Sequence, residues 1–418
     1  MNDIQGAWLA PPEATPEQRA AEERSERLEE LLEQVGRRFF RRSDLRAHAQ
    51  EYLRALAGGG AAFLEDERGG ASWLRQHFLG RASWNADALR DFTARYVVEG
   101  LSPGGPGHGP GDGVLVLDEV AFRKKGNASA GVARQYVEEF GAAVSCQIGV
   151  MASWSTPLGT APVDRELYLP PDWITDAPRR RRAHVPQEID HVTKSQLAVR
   201  IAERLLLPGG SPRGTAPQDG AMPWVVADTR LGCDAVFRSA LAGRGIPHLV
   251  GVARNHAVLP HPGWRRVSLL VQRHAAEESW GRLGSGGWEW WVRRVPPEPS
   301  AGLPARAGPR TTGTAARWLV ACRRTGDRHP RRYFLAHGPA HTALGELADA
   351  VAAWRESREV LSRATDSCGL GSYRVRSWQG WYRHISLAQL AAGFHAVHAA
   401  QDGTAVRSSP AVERARAA

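Results

Sequence analysis

Two aspartates that directly follow apolar runs are the residues best placed to carry chemistry in this chain. Asp118 ends the run Val114–Leu117, and Asp228 ends a second run of the same kind. Such runs are typical of buried strands, and acids at strand tips lie where open α/β sheets bind ligands. Lys124 and Lys125 can hold a polyanion beside the first carboxylate. The pattern predicts a divalent-metal site acting on a phosphodiester, although one such Asp alone is more often a turn or helix cap.

The composition favours a folded protein with an anionic partner. The chain has 418 residues, a formal net charge of +10 and 42% hydrophobic residues, which is enough for a core and for two or three domains, or for one large domain with an insertion. Excess positive charge favours nucleic acid or an anionic membrane as the partner. We expect no membrane span, since no apolar stretch approaches about 18 residues, and no signal peptide. Nucleic acid in the cytoplasm is therefore the expected partner and location.

The positions of the cysteines and tryptophans favour a role in packing over a role in a functional site. The four cysteines are far apart and show no zinc-ribbon spacing, so we expect small core residues and no disulfide scaffold. One tryptophan cluster lies beside Arg293 and Arg294 and consists of Trp280, Trp288, Trp290 and Trp291. They either stack on unpaired bases or pack a β-sheet, and the alternation with Val favours the sheet.

Helical spacing and a Gly/Pro-rich stretch divide the chain. Residues 16–57 and 70–100 have helical patterns, with Ser83 as the cap of the later helix. The expected division is a helical N-terminal DNA-binding domain at 1–101, a Gly/Pro linker at 102–112, the first part of the core at 113–254, a β-rich insertion at 255–340, the last part of the core at 341–402 and a disordered tail at 403–418.

The core itself shows three strands, a helix, a strand, a helix and a strand, the order of a ribonuclease-H-like fold. The strands are Val114–Asp118, Ala143–Trp154, Ala161–Leu169, Trp224–Asp228 and His248–Ala253, and the helices are Lys194–Leu207 and Asp234–Ala242. In the insertion we predict strands at Val267–Val271, Trp288–Val292, Arg317–Cys322 and Arg332–Ala336. Two further helices, Leu344–Ala364 and Ile385–His398, follow. Arg179–Arg182 is expected in a loop that is either solvated or grips DNA.

Several segments, in this order, resemble the cut-and-paste insertion-sequence transposases of the DDE superfamily. They are Leu117-Asp118-Glu119 with Lys124-Lys125-Gly126, then Gly131–Tyr136, Cys146–Val150, Asp164–Pro170, Ala227-Asp228, and Tyr373–Trp378 with Gly380–His384. The resemblance runs from Val114 to about His398. It implies a mixed α/β, ribonuclease-H-like core that carries a β-rich insertion, preceded by a helical domain. The order of elements given above agrees with that fold.

The resemblance also implies a chemistry. In these transposases an Asp, a second Asp and a Glu hold two Mg²⁺ or Mn²⁺ ions, and such a pair stabilises the attacking and leaving oxygens. Asp118 and Asp228 match the first two positions. The implied substrate is double-stranded DNA, both as terminal inverted repeats and as target. A homodimer in a synaptic complex and a location at the nucleoid are implied as well.

The third ligand is where this chain departs from the family. Counted back from Tyr373, the family's Tyr, Arg, Glu and Lys positions fall on Val351, Trp354, Arg358 and Thr365, and none of them matches. Glu356 and Glu359 lie nearby, and Glu359 serves as third ligand if the helix rotates or the register shifts by one residue. Alternatively, Arg358 inserts its guanidinium between the two aspartates in place of the metal.

Two functions therefore stay open. The first is an active transposase in which Asp118, Asp228 and Glu359 are the catalytic metal ligands. The second is a catalytically impaired descendant that only binds DNA, because Arg358 occupies the expected Glu position. The residues predicted to contact DNA, each of which can instead brace the fold, are Lys124, Lys125, Arg134, Arg376, Trp378, Trp381, Arg383 and His384.

Overall fold

A computed structural model describes eight ranges of the chain: residues 15–59, 70–103, 113–207, 222–258, 266–276, 279–283, 287–296 and 315–403. The predicted linker at 102–112 and the predicted tail at 403–418 lie almost entirely outside the described residues. Within the described ranges, every helix is too short or too polar to span a membrane.

The N-terminal region is helical, as predicted. Its helices are α1 (Pro16–Phe39), α2 (Ser43–Ala57), α3 (Gly70–Gly80) and α4 (Ala86–Gly100). A capping box between Thr15 and Gln18 starts α1. The predicted cap at Ser83 was wrong, because Asn85 caps α4 by accepting from the backbone N–H groups of Asp87 and Ala88.

The strands of the described residues form one mixed sheet. They are β1 (Val114–Arg123), β2 (Ala133–Val137), β3 (Ala142–Thr156), β4 (Gly159–Leu167), β5 (Trp224–Ala227), β6 (His248–Val252), β7 (Gly281–Leu283), β8 (Trp288–Val295), β9 (Ala315–Arg324) and β10 (Arg332–Pro339). Their order is β2-β3-β1-β5-β6-β10-β9-β8-β7, with β4 paired to β3. Strand β1 is antiparallel to β3 and parallel to β5, which is parallel to β6. This arrangement confirms the predicted ribonuclease-H-like fold.

The helices that follow the first strands cover both faces of the sheet. They are α5 (Pro171–Thr175), α6 (Ala177–Arg182), α7 (Lys194–Leu206), α8 (Thr229–Gly232), α9 (Ala235–Gly243), α10 (Val267–His274), α11 (Leu344–Ser367) and α12 (Trp378–Gln401). The predicted strand at Val267–Val271 was wrong. Val267, Leu270 and Val271 are buried while Leu269 is exposed, which is the spacing of a helix against a core.

The predicted β-rich insertion extends the core sheet. Strand β10 pairs antiparallel with β6, so β7–β10 continue the hydrogen-bonded ladder outwards. Trp290 and Trp291 alternate between the two faces of β8 and are both buried. These tryptophans therefore pack the sheet, and their rings are not available for base stacking.

The arginine run predicted as a loop forms helix α6. Arg179 stacks on the Trp173 ring, with its guanidinium carbon 3.9 Å from the ring centroid, and donates to the carbonyl of Val132. Arg180 donates to the carbonyls of nearby residues, whereas Arg181 and Arg182 are exposed. Half of the run thus braces the fold and half faces solvent.

The alternation of side chains along β1 positions the site. Leu115 and Leu117 pack on the face covered by α7, whereas Val114 and Val116 pack against α11. Since successive strand residues point to opposite faces, Asp118 projects on the α11 side.

Replacing Gly232 by Ala should destabilise this part of the core, because α8 packs directly on β6. A Cβ at Gly232 would lie 2.0 Å from the carbonyl oxygen of Gly251, so α8 must move. We expect a loss of about 2 kcal/mol or more in the free energy of unfolding, measured by denaturant titration. Gly243→Ala is the control, since a Cβ added there would meet no atom within 4 Å. Equal effects of the two changes would contradict this packing.

Candidate functional site

The two aspartates meet at the end of the pairing between β1 and β5. Leu117 lies opposite Ala227 in this parallel pair, so Asp118 and Asp228 follow on adjacent strands. Asp118 is 8% exposed and Asp228 is 7% exposed. Burial first, and then the negative charge of Asp228, raise the pKa of Asp118 to about 7. The structure therefore brings together the two acids that the sequence singled out.

Each aspartate also holds the local backbone. Asp118 Oδ1 accepts a hydrogen bond from its neighbour's N–H, the amide of Glu119, at 2.8 Å. Asp228 Oδ1 accepts from the amide of Thr229 at 2.7 Å and caps α8. Asp228 can cap α8 and also take part in the site, because only Oδ1 is used for the cap and Oδ2 contacts a different residue.

That partner is Arg358 on α11. Its Nη1 lies 3.3 Å from Asp228 Oδ2, and its positive charge acts to lower the pKa of Asp118 against the two stronger effects that raise it. Trp354, Ser357 and Leu361 form the buried stripe of α11, and Arg358 lies at the border of this stripe. The guanidinium thus stands at the position counted for the third carboxylate.

The two glutamates near Arg358 do not join the aspartates. Hydrogen bonds from the hydroxyls of Thr160 and Ser155 reach Glu356, whose pKa is nevertheless raised by burial. Glu359 is exposed. Adjacent helix positions differ by about 100° around the axis, so Arg358 facing the aspartates turns Glu359 away. The geometry does not support the predicted role of Glu359 as third metal ligand.

The side chains present do not fit a centre for two metal ions. DDE-family nucleases generally use divalent metals, which prefer several carboxylate oxygens. Here two carboxylates share the site with a guanidinium. Among the residues that the structure describes, no three His, Cys, Asp or Glu side chains are grouped so that they can hold a metal. A permanent side-chain cation stands at the position predicted for the third acid.

Glu119 marks a second charge cluster that the sequence did not predict. Its Oε2 lies 2.7 Å from Lys194 Nζ and 3.3 Å from Arg230 Nη1. Glu119 faces the α7 side of the sheet, because it follows Asp118 directly. Arg230, which lies two residues after Asp228, therefore neutralises an acid next to the site.

Three of the residues predicted to contact DNA are packed inside the protein: Trp381, Arg383 and His384. Arg383 donates to the backbone carbonyls of Leu79 and Trp84, and burial lowers its pKa to about 10. His384 Nδ1 lies 2.8 Å from the hydroxyl oxygen of Tyr52. These side chains brace α12 against the N-terminal helices, and the prediction of a DNA contact is withdrawn for them.

Of the remaining residues predicted to contact DNA, Lys124 and Trp378 are largely covered by the protein, whereas three others are exposed. Lys124 lies with its Nζ 3.4 Å from the centroid of the Tyr373 ring and donates to the Tyr373 carbonyl. Burial lowers the pKa of Lys124 to about 8, and its ammonium group is already engaged by the ring and the carbonyl of Tyr373. Trp378 is 9% exposed. Exposed side chains are found at Lys125, Arg134 and Arg376.

A ribonuclease-H-like sheet with two aspartates on adjacent central strands defines a transposase-like nuclease. Comparison with known families agrees, since residues 37–268 match the family described as DDE superfamily endonuclease. The match covers more than half of the chain, so the protein belongs to this family and the predicted relationship is confirmed. The matched range contains Asp118 and Asp228 and ends before α11. No curated protein matches the chain.

Proposed function

We propose that this protein binds double-stranded DNA as a member of the DDE family that has lost metal-dependent cleavage. The observation that carries the proposal is the 3.3 Å contact between Arg358 Nη1 and Asp228 Oδ2. A guanidinium does not lose its proton in proteins, so it competes with a divalent cation for the two carboxylates. The protein thus keeps the fold of the family, while the Arg358 side chain occupies the place beside the aspartates where a metal ion would bind.

Binding of DNA is supported by charge and by exposed cations on one part of the surface. The net charge of +10 favours a polyanion. Arg134 and Tyr136 are exposed on β2, and their β3 partners Ser145 and Ala143 lie on the sheet face of Asp118. The amide of Ala130 donates to the carbonyl of Arg376, which brings exposed Arg376 beside the loop that follows β1. A duplex that contacts these cations lies next to the aspartates.

The proposal includes the expectations that this surface engages terminal inverted repeats, that a homodimer pairs two DNA ends and that the nucleoid is the location. These follow from the family relationship. They do not depend on cleavage, because DNA binding by a DDE fold and its metal chemistry use different groups.

Replacing Arg134 and Arg376 by Ala together should weaken DNA binding through lost phosphate contacts. We expect the slope of log K against log salt to fall by about 2, or about 1 per phosphate contact, measured by fluorescence anisotropy with a labelled duplex. The control is Arg200→Ala, which removes a charge from the exposed side of α7 on the opposite face of the sheet. An unchanged slope in the double variant would place the DNA elsewhere.

The second candidate is the activity of the family itself: metal-dependent cleavage of terminal repeats, followed by strand transfer. The convergence of Asp118 and Asp228 favours it, with Glu359 or Glu356 supplied by a movement of α11. Labelled terminal-repeat DNA with Mn²⁺ separates the two candidates. Nicking that Asp118→Ala abolishes supports the second candidate, whereas salt-sensitive binding without nicking supports the first.

A further inference from the structure

Two arginines lie against the ring of Trp354, near the aspartates. The guanidinium carbons of Arg332 and Arg358 are 5.6 and 5.7 Å from the centroid of this ring. Arg358 comes from α11 and contacts Asp228, whereas Arg332 is the first residue of β10. Phe334, two residues after Arg332, packs against α11, so Arg332 also points to the α11 face of the sheet. The two guanidinium groups therefore share one ring on the face where the aspartates lie.

A second pair of arginines continues this basic surface along the insertion. Arg324 of β9 is directly opposite Trp288 of β8. The guanidinium carbons of Arg324 and Arg355 lie 5.8 and 5.3 Å from the centroid of the Trp288 ring. A guanidinium held against a ring by cation–π attraction keeps N–H groups that can bind an oxyanion. We call the four residues the arginine cluster: Arg324, Arg332, Arg355 and Arg358.

An acid from the other end of the sheet reaches this cluster. Glu138 Oε1 lies 3.8 Å from Arg332 Nη1, although Glu138 begins the short turn Glu138–Phe140 between β2 and β3. The strand order β2-β3-β1-β5-β6-β10 puts five steps between β2 and β10, which is about 24 Å at the usual strand spacing. The hairpin of β2 and β3 therefore curves over the ends of β5 and β6, next to Asp228, to bring Glu138 to Arg332.

The contact between Glu138 and Arg332 can be exchanged for another. The side chains of Arg332 and Glu138 are 34% and 55% exposed, and an ion pair this exposed adds little to stability. A phosphate oxygen can replace a carboxylate oxygen on a guanidinium. Arg134, which belongs to the proposed DNA surface, lies on the same hairpin four residues before Glu138. A duplex bound at Arg134 thus brings its phosphates to the acid that covers Arg332.

We propose that Glu138 is an autoinhibitory anion, which occupies the arginine cluster until a phosphate of bound DNA replaces it. The inference rests on the proposed DNA binding and adds a regulatory contact to it. Displacement of Glu138 makes Arg332 available to the phosphate and separates the hairpin from β10, so that the duplex can lie across the two aspartates. One anion leaves Arg332 as another arrives, and the guanidinium stays paired throughout.

The test compares Glu138→Gln with the wild-type protein, by fluorescence anisotropy on a labelled duplex. Glutamine keeps the size of the side chain and removes its charge. We expect the variant to bind the duplex about two- to fivefold more tightly, because the DNA no longer displaces a carboxylate. The control is Glu139→Gln, which removes the same charge from the next exposed residue. At an ionic strength of about 0.15 M, charges more than about 8 Å apart are largely screened, so the control should change the affinity less.

A double-mutant cycle tests whether Arg332 is the partner of Glu138. In an Arg332→Gln protein, Glu138→Gln should leave the affinity unchanged, because there is no guanidinium for Glu138 to cover. In an Arg332→Lys protein the cation remains, and the gain should persist. A gain of the same size in the Arg332→Gln protein would overturn the inference, since Glu138 would then act only through the overall charge.

The other outcomes separate this inference from the proposed function. Equal gains for Glu138→Gln and Glu139→Gln, or no gain for either, would overturn the inference and leave DNA binding intact. Failure of both the wild-type protein and the Glu138→Gln variant to bind the duplex would instead refute the proposed function. Inorganic pyrophosphate is the last probe. If Glu138→Gln improved the binding of pyrophosphate and not that of the duplex, the cluster would serve small anions, and the inference would again be overturned.

Discussion

Arg358→Glu should convert the two-aspartate centre into a metal site. The introduced carboxylate replaces the group that lies 3.3 Å from Asp228, so three acids then converge, which favours binding of a divalent cation. We expect Mn²⁺ or Mg²⁺ at about 100 times its dissociation constant to stabilise the variant by about 2.7 kcal/mol. The wild-type protein should show no such stabilisation. Thermal unfolding with and without metal measures the difference.

Without metal, the same variant should be less stable than the wild-type protein near pH 8. Three carboxylates then repel one another without a cation, and we expect a loss of about 1–3 kcal/mol, limited because the Arg358 side chain is 42% exposed. Metal-dependent nicking of DNA should appear together with the stabilisation. Arg363→Glu, an exposed position on the same helix, is the control. If metal stabilised both variants equally, or neither, the placement of Arg358 as the substitute for the third acid would be refuted.

Asp118→Asn should raise stability at and above neutral pH. The folded protein holds the pKa of Asp118 at about 7, whereas an unfolded Asp titrates near about 3.9. A raised folded pKa means that the native state binds the proton more tightly. The stability from this proton is fully present below about pH 4 and is lost as the pH rises through about 7.

The variant has no proton to lose at this position, so its advantage should grow over that pH range. We expect a gain of about 2–4 kcal/mol in the free energy of unfolding near pH 8, and none near pH 4. Denaturant titrations across this range provide the measurement, and Asp190→Asn at an exposed position is the control. A constant difference between variant and wild type at all pH values would mean that Asp118 is not the titrating group.

The predicted strands and their order were largely correct, because apolar runs and their separation are local properties. Val114–Asp118 lies in β1, which continues past Asp118 to Arg123, and Trp224–Asp228 matches β5 to within one residue. Errors arose where one pattern fits two structures. Val267–Val271 is apolar enough for a strand. In the structure only Leu269 of its large side chains is exposed, which is the burial pattern of a helix.

Residues on α12 show what local patterns miss. A sequence with Arg, Trp and His near a helix start resembles a DNA-contacting surface, but Arg383 and His384 are enclosed by α2, α3 and the segment before α4. Burial depends on which elements cover a helix, and that information lies in distant parts of the chain. The same limit applies to a cavity beside Trp378, which forms only when α4, α7 and α12 are assembled.

By itself, the sequence determined the family, the α/β class and the two aspartates that follow apolar runs, because residue types and short spacings carry this information. It also predicted, by counting back from Tyr373, that Arg358 occupies the position of the third acid. Only the tertiary structure decided what stands there instead. Arg358 and Asp228 are 130 positions apart, and their contact exists because α11 packs across β1 and β5 on the face to which Asp118 points.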